Sequence, residues 1–332
     1  MASEREVIYS VEHFYPKHPE HPIGPLTAQV HGYFLEEDLA KSTLSIVGDD
    51  MGSIDKLLSG ETDISMDAQP AMVIEENAKG KDVYIVGSYR NGLPFSIIAR
   101  PGIIHSPDDL RGKRFTTSRR FGVGERTIRA TCQKLGIDPD RELEMLLIPE
   151  RGTYEKLEAL KEGRADFGIY HHDAEGPIVR NLIDSGELVE VIDLTKLFPF
   201  YVTRAMATSG RMLRERADIL KAFLKGVMRA QQFMHDEDPM GQDALQILKE
   251  TLQVDSLAGS RYENGRPEAW PLQAVDTIAS PEGVAAHVEE VKAAGKIPPS
   301  FSARQVLRNE PALEALEELG LGYQAEGRTR AL

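Results

Sequence analysis

Apolar residues along this chain keep two spacings in alternation. Runs that read as strands, Val7-Ile-Tyr-Ser-Val11, Leu44-Ser-Ile-Val47, Val83-Tyr-Ile-Val-Gly-Ser88, Phe95-Ser-Ile-Ile-Ala-Arg100 and Leu143-Glu-Met-Leu-Leu-Ile148, are separated by stretches whose apolar positions recur at helical intervals. Gly24 to Leu39 predicts a short helix ending near Gly32, with Tyr33 and Phe34 packing beneath it, and Gly48 to Gly52 opens the next helix. Arg211 to Met234 predicts a single amphipathic helix with Leu213, Ile219, Leu220, Phe223, Leu224, Val227 and Phe233 as its core face. From Asp236 onward the chain reads as further helices and loops around the first lobe.

One device occurs twice. Ile54 to Asp67 and Leu157 to Tyr170 each run helix, glycine (Gly60, Gly163), an aspartate three residues on (Asp63, Asp166), then a buried strand. The glycine suits the left-handed cap that ends a helix. Two α/β lobes of like topology follow, lobe one from residues 1–97 and 201–332 and lobe two from 98–200, with Phe95–Arg100 and Phe198–Met206 as the connections. In both copies the seventh residue after the glycine, Asp67 or Tyr170, ends a strand, which is where open α/β sheets bind ligands.

Lys113 to Gly136 combines a short strand, a polar loop interrupted by Gly122 and Gly124, and a helix carrying Ile128, Cys132 and Leu135 on one face. Free N–H groups at the helix start would meet Ser118, Arg119, Arg120 and Arg126, which suits a carboxylate, sulfonate or phosphate. An ordinary basic turn is the plainer alternative; on the anion reading Arg119, Arg120 and Arg126 are the candidates for a planar fork, with Arg129 and at least one of the others simply solvated. No Gly-Lys-Ser/Thr follows the glycines, so this is not the phosphate loop of nucleotide hydrolases.

Charge narrows the partners. A formal net charge of −14 over 332 residues leaves no concentrated basic face for nucleic acid, while the local basic cluster at 111–129 suits a small anion. The single cysteine, Cys132, excludes an intramolecular disulfide and a cysteine-based zinc site, and its helical setting predicts core packing. No stretch approaches the ~20 apolar residues of a membrane span. The first residues lack the features of a secretory signal. A native start at Met1 would make the protein cytoplasmic, and a removed export signal would make it extracytoplasmic.

The stretches GPLTAQVHGYFLEEDL, KLLSGETDIS, SPDDLRGKRFTTS with its following helix and LGIDP, and LEALKEGRADFGI together resemble periplasmic substrate-binding proteins of the sulfonate, nitrate and taurine type. That family also includes thiamine-pyrimidine-precursor binders and the fungal pyrimidine synthase. The similarity runs from about Val7 to Met234. It implies a bilobed type II periplasmic-binding-protein fold, two doubly wound lobes joined by two crossover strands, with a cleft that closes over a small molecule. It implies too that loops after Val11, Val47, Met66, Thr117 and Tyr170 line the cleft. The His/Cys-rich motif of the fungal synthase and the catalytic cysteine of related desulfinases have no match.

Carried onto that fold, the cleft gathers His13, Tyr15, His18 and His21 from one loop, Asp49, Asp50, Asp67 and Gln69 from lobe one, and Thr117, Ser118, Arg119, Arg120, Tyr170, His171, His172 and Asp173 from lobe two. Tyr201, with Phe14 and Phe121, could stack on a ring or fill the hinge. Five of the nine histidines fall at two strand ends, so three uses compete: hydrogen bonding to ligand or neighbouring loops, a divalent metal site, or a general acid–base group of His171, His172 and Asp173. No cofactor is required. The resemblance implies a solute-binding protein that closes on a small anionic organic ligand, a sulfonate, carboxylate or pyrimidine-like molecule, and delivers it to an ABC transporter permease. A cytoplasmic decarboxylase or hydrolase of an aromatic or heterocyclic carboxylate on the same scaffold is the alternative.

Overall fold

The alternation of strand and helix becomes two five-stranded mixed sheets in a computed structural model that describes residues 5–11, 21–47, 50–118, 120, 123–148, 153–171, 176–238, 241–256 and 276–321. One compact unit holds the described residues up to Gly92 and from Phe200 onward, and the other holds those from Leu93 to Pro199. In chain order, the first unit runs β1 (Glu6–Val11), α1 (Ile23–Val30), α2 (Tyr33–Glu36), β2 (Lys41–Ile46), α3 (Asp50–Ser59), β3 (Ile64–Ala68), α4 (Pro70–Ala78) and β4 (Val83–Asn91). The second runs β5 (Phe95–Ala99), a 3-10 turn (Pro107–Leu110), β6 (Arg114–Thr117), α5 (Val123–Lys134), α6 (Pro139–Glu142), β7 (Glu144–Leu147), α7 (Thr153–Lys161), β8 (Phe167–His171), α8 (Gly176–Asp184), β9 (Val189–Asp193) and α9 (Leu194–Leu197). The chain then returns as β10 (Val202–Ser209), followed by α10 (Gly210–Glu215), α11 (Ala217–Asp236), α12 (Gln242–Leu252), α13 (Pro281–Ala293), α14 (Ala303–Val306) and α15 (Glu310–Glu318).

The two sheets share one plan. Their strand orders are β2-β1-β3-β10-β4 and β7-β6-β8-β5-β9, and in each the antiparallel fourth strand is the one that enters the unit from the other. The repeated helix-glycine-aspartate device holds at the level of atoms. Gly60 and Gly163 both take the left-handed cap, at φ of 80° and 76°, and a guanidinium lies against each, Arg211 on Gly60 and Arg100 on Gly163. The aspartate three residues later then clasps the adjacent strand.

Packing explains where the sheets are buried. Tyr9, Met66 and Val86 cover one face of the first sheet together with Phe223, Leu224 and Val227 of α11, while Val83 and Ile85 meet Ile54, Ile74, Val284 and Val288 of α3, α4 and α13 on the other. Each such side chain contributes about 1.5–3 kcal/mol of burial. Phe34 stacks on Phe223 at 5.2 Å, a contact permitted because Gly226 has no side chain to meet the ring. The predicted single helix from Arg211 is in fact two. Arg216 leaves helical geometry between α10 and α11 because its guanidinium binds the Asp63 carboxylate and the Glu6 carbonyl, partners that only the tertiary fold supplies.

Candidate functional site

At the C-terminal end of β3 the first unit buries a charge. Asp67 is fully buried, and a carboxylate taken out of water costs several kcal/mol unless it is partnered. His21, at the threshold of α1 and equally out of solvent, supplies the partner through its Nδ1. With Nδ1 turned to the carboxylate, Nε2 is the nitrogen directed elsewhere, so the aspartate fixes how the imidazole presents itself. The Tyr89 ring lies 6.0 Å from the His21 ring, and Arg204 of β10 donates to the Asp67 backbone carbonyl at 3.1 Å. Beside this pair, buried hydroxyls run from β1 to α3 to β3: Ser53 bonds Ser65 at 2.6 Å and lies 3.3 Å from Ser10.

Gln69 follows as the residue before α4, half-buried in an extended conformation. Tyr201, where the chain re-enters the first unit, sets its ring 4.4 Å from His287, with its hydroxyl 3.4 Å from a Glu290 oxygen. His287 in turn engages the Val202 carbonyl at 2.8 Å, so α13 braces the re-entering strand.

In the second unit β6, the counterpart of β1, ends at Thr117. Thr117 is buried with its hydroxyl 3.1 Å from the position of a Cβ on Gly124, so the first turn of α5 approaches the strand end closely because residue 124 is a glycine. Ser118 is half-buried beyond it, and Arg120 and Arg126 are exposed. Arg129, expected to be solvated, instead bonds Asp140 and Glu125, each at 2.9 Å, and the Asp140 hydrogen bond holds its guanidinium above the ordinary range. Cys132 is packed inside the helix face as expected, and burial pushes its thiol up to about 11.

Tyr170 sits in the second unit's core beside Leu157 and Leu160, with the Lys156 ammonium 5.0 Å over its ring. His171 is half-buried and meets its cross-strand partner Phe95 edge-on at 4.7 Å. His13, Tyr15, His18, Asp49, Arg119, His172 and Asp173 lie outside the described residues, as do Phe14 and Phe121; so does the side chain of Asp50, which opens α3. Among the described residues no group of three or more His, Cys, Asp or Glu could hold a metal ion, and no helix is long and apolar enough to cross a membrane.

Two strand arginines, Arg204 at the Asp67 carbonyl and its cross-strand partner Arg90, went unmarked by sequence reasoning. Arg90 is 3% exposed in β4, and Arg204 is its partner in β10. The signal was there: each is a cation inside a strand of apolar and small residues, VYIVGSYRN and VTRAMATS.

The profile of the NMT1/THI5 like family matches residues 19–239. No curated protein matches the chain significantly. Among solved structures, the putative periplasmic sulfonate-binding protein SsuA from Methylobacillus flagellatus KT is 16% identical, covering 97% of this chain and 98% of its own, at a TM-score of 0.66. The periplasmic nitrate-binding protein NrtA from Synechocystis PCC 6803 is 15% identical, over 95% and 89%, at 0.61. The ligand-binding component of an ABC-type import system from Staphylococcus aureus, solved with zinc bound, is 14% identical, over 94% and 99%, at 0.59. At such identities the likeness establishes the fold, that of periplasmic binding proteins.

Proposed function

The chain belongs to the NMT1/THI5-like family, and from that premise we propose that it is a solute-binding protein that captures a small anionic organic molecule for an ABC-type permease. The observation that carries this reading is the buried His21–Asp67 pair, with Arg204 donating to the Asp67 carbonyl, set at the strand end where open α/β sheets take ligands. Structures of the same fold that bind sulfonate and nitrate support the ligand class. On this reading the protein works outside the cytoplasm. Binding needs no chemical step: the aspartate holds the imidazole still, and a fixed imidazole and guanidinium groups meet the ligand without having to be ordered first.

A thermal-shift panel of alkyl and aryl sulfonates, aromatic carboxylates and pyrimidines, run with and without a chelator, tests the proposal. A ligand present at a hundred times its Kd stabilises the native state by about 2.7 kcal/mol, enough to raise the melting temperature visibly. At least one anionic class should do so. If the panel leaves the melting temperature unchanged, the proposal fails. The chelator arm reads a divalent cation as cargo, for which His21 and Asp67 are the described imidazole and carboxylate.

A further inference from the structure

We propose that the first unit carries a second ligand site, remote from the His21–Asp67 pair, that takes a free α-amino acid with an apolar side chain. It goes beyond the solute-binding reading and does not depend on it. The site is a cavity of about 450 Å³ between α10 and the start of α11 on one side and the start of α15 on the other, with Tyr84 of β4 in its wall. That volume is within the ordinary range for small-molecule pockets. Thr208 of β10 stands opposite Ile64 on one side and Tyr84 on the other, so Tyr84 is level with the start of β3, whereas Asp67 lies near its end. Three residues along a strand put about 10 Å of sheet between the two levels.

The fold fixes one guanidinium in this cavity. β4 is the outermost strand of its sheet, and Leu307 meets its free edge in a parallel bridge to Ile85. The Arg308 N–H donates to the Ile85 carbonyl at 2.8 Å, which pins the residue beside Tyr84. Its guanidinium lies 4.7 Å over the Tyr84 ring, and Nη1 donates to the carbonyls of Arg304 and Leu307, each at 2.8 Å. A guanidinium has five N–H donors, so Nε and the two hydrogens of Nη2 remain. That edge is a fork from which a carboxylate accepts two parallel bonds. Among the described residues no carboxylate accepts from it, although Asp218, Glu310 and Glu314 line the same cavity.

The remaining charges select the ligand. Arg214 binds Asp82 at 2.9 Å, Lys221 binds Glu318 at 2.7 Å and lies 3.4 Å from Glu314, and Asp218 binds Arg5 at 3.1 Å. Among the described residues, the cavity is left with one cation and one carboxylate outside any ion pair, Arg308 and Glu310. They stand two residues apart where the chain enters α15, and Leu213, Ala217 and Pro311 give the cavity an apolar wall. A simple anion would suit Arg308 but would also face the carboxylates around it, and a simple cation would face the arginines. A zwitterion meets both conditions: its carboxylate goes to the Arg308 fork, its ammonium to Glu310 and its side chain to the apolar wall. The Tyr84 ring and the two carbonyls already hold the guanidinium, so binding does not have to order it.

The test titrates leucine and phenylalanine calorimetrically into the full chain, beside their N-acetyl derivatives, which keep only the carboxylate, and their amides, which keep only the ammonium. The amino acids should bind, and each single-charge analogue should bind at least about tenfold more weakly. Arg308→Gln should weaken amino-acid binding at least about tenfold. Glu310→Gln, a change at an exposed position, should remove the preference for the amino acid over its N-acetyl derivative. Asp67→Asn should leave amino-acid binding unchanged, because Asp67 lies at the other end of the sheet. Circular dichroism confirms that each variant is folded, and the comparison of analogues on wild-type protein needs no variant. The inference is overturned if neither amino acid binds wild-type protein, if the analogues bind as tightly as the amino acids, or if folded Arg308→Gln and Glu310→Gln keep the wild-type pattern. Loss of amino-acid binding in folded Asp67→Asn overturns it as well, by moving the ligand to the first site.

Discussion

Asp63 and Asp166 grip their neighbouring strands in the same way. Each donates its backbone N–H to a strand carbonyl and takes the N–H of that same residue on its carboxylate: Ile8 at 2.8 and 2.9 Å for Asp63, Arg114 at 2.8 and 2.8 Å for Asp166. Asp63 also carries Arg216, while Asp166 is approached by Arg100 and Arg114 at 3.9 and 3.7 Å. The two units therefore repeat one construction down to the carboxylate that pins the helix exit to the sheet.

Replacing either aspartate by alanine leaves a strand N–H without its acceptor. We expect a loss of about 2 kcal/mol for Asp63→Ala and somewhat less for Asp166→Ala, whose ion pairs are longer. Urea unfolding followed by circular dichroism measures both. A variant as stable as the wild type would show that the clasp is incidental.

Cys132 should behave as a packing residue. Its side chain is 1% exposed and its thiol is raised to about 11 by burial, so very little thiolate is available and none is accessible. A disulfide reagent at about pH 8 should leave the native chain unmodified for hours and titrate a single thiol once denaturant is added. Rapid reaction of the folded protein would contradict this packing.

Glu76 makes part of the stability depend on pH. Hydrogen bonds from Lys79 and Lys81, at 2.6 and 2.5 Å, hold its carboxyl below the ordinary value of 4.5. The unfolded chain therefore binds a proton at a higher pH than the folded one does. The contribution is complete above about 4.5 and is lost as the pH falls through the lower folded value. Wild type should exceed Glu76→Gln by about 1 kcal/mol near neutrality, a modest figure because both lysines are exposed, and the gap should narrow as the pH falls below the ordinary carboxylate value. A gap that does not change between neutrality and acid contradicts the assignment.

What the sequence revealed and what it withheld divide along a physical line. The helix-glycine-aspartate copies at Gly60 and Gly163 were legible because a left-handed cap and a buried strand each leave a local mark. Asp67 was legible as the end of one such strand. The break at Arg216 was not, because its cause is an aspartate more than a hundred residues away in the chain. Arg129 was mistaken for a solvated cation for a similar reason, since Asp140 reaches it only across a turn. Arg90 and Arg204 were passed over because spacing reports which strand positions are apolar and is silent on why a cation stands among them. Tyr170 and Asp67 hold equivalent places in the two copies, yet the tyrosine has entered a core and the aspartate has met a histidine.

The most direct measurement is a calorimetric titration of the strongest anionic binder from the thermal-shift panel into wild-type protein and into Asp67→Asn, with circular dichroism to confirm that the variant is folded and Gln69→Ala as a second variant less exposed to folding defects. The buried aspartate fixes the imidazole, so its loss should weaken binding at least about tenfold, with one ligand bound per chain in the wild type and a smaller loss in Gln69→Ala. Undiminished affinity in folded Asp67→Asn and in Gln69→Ala would contradict the placing of the ligand at this strand end.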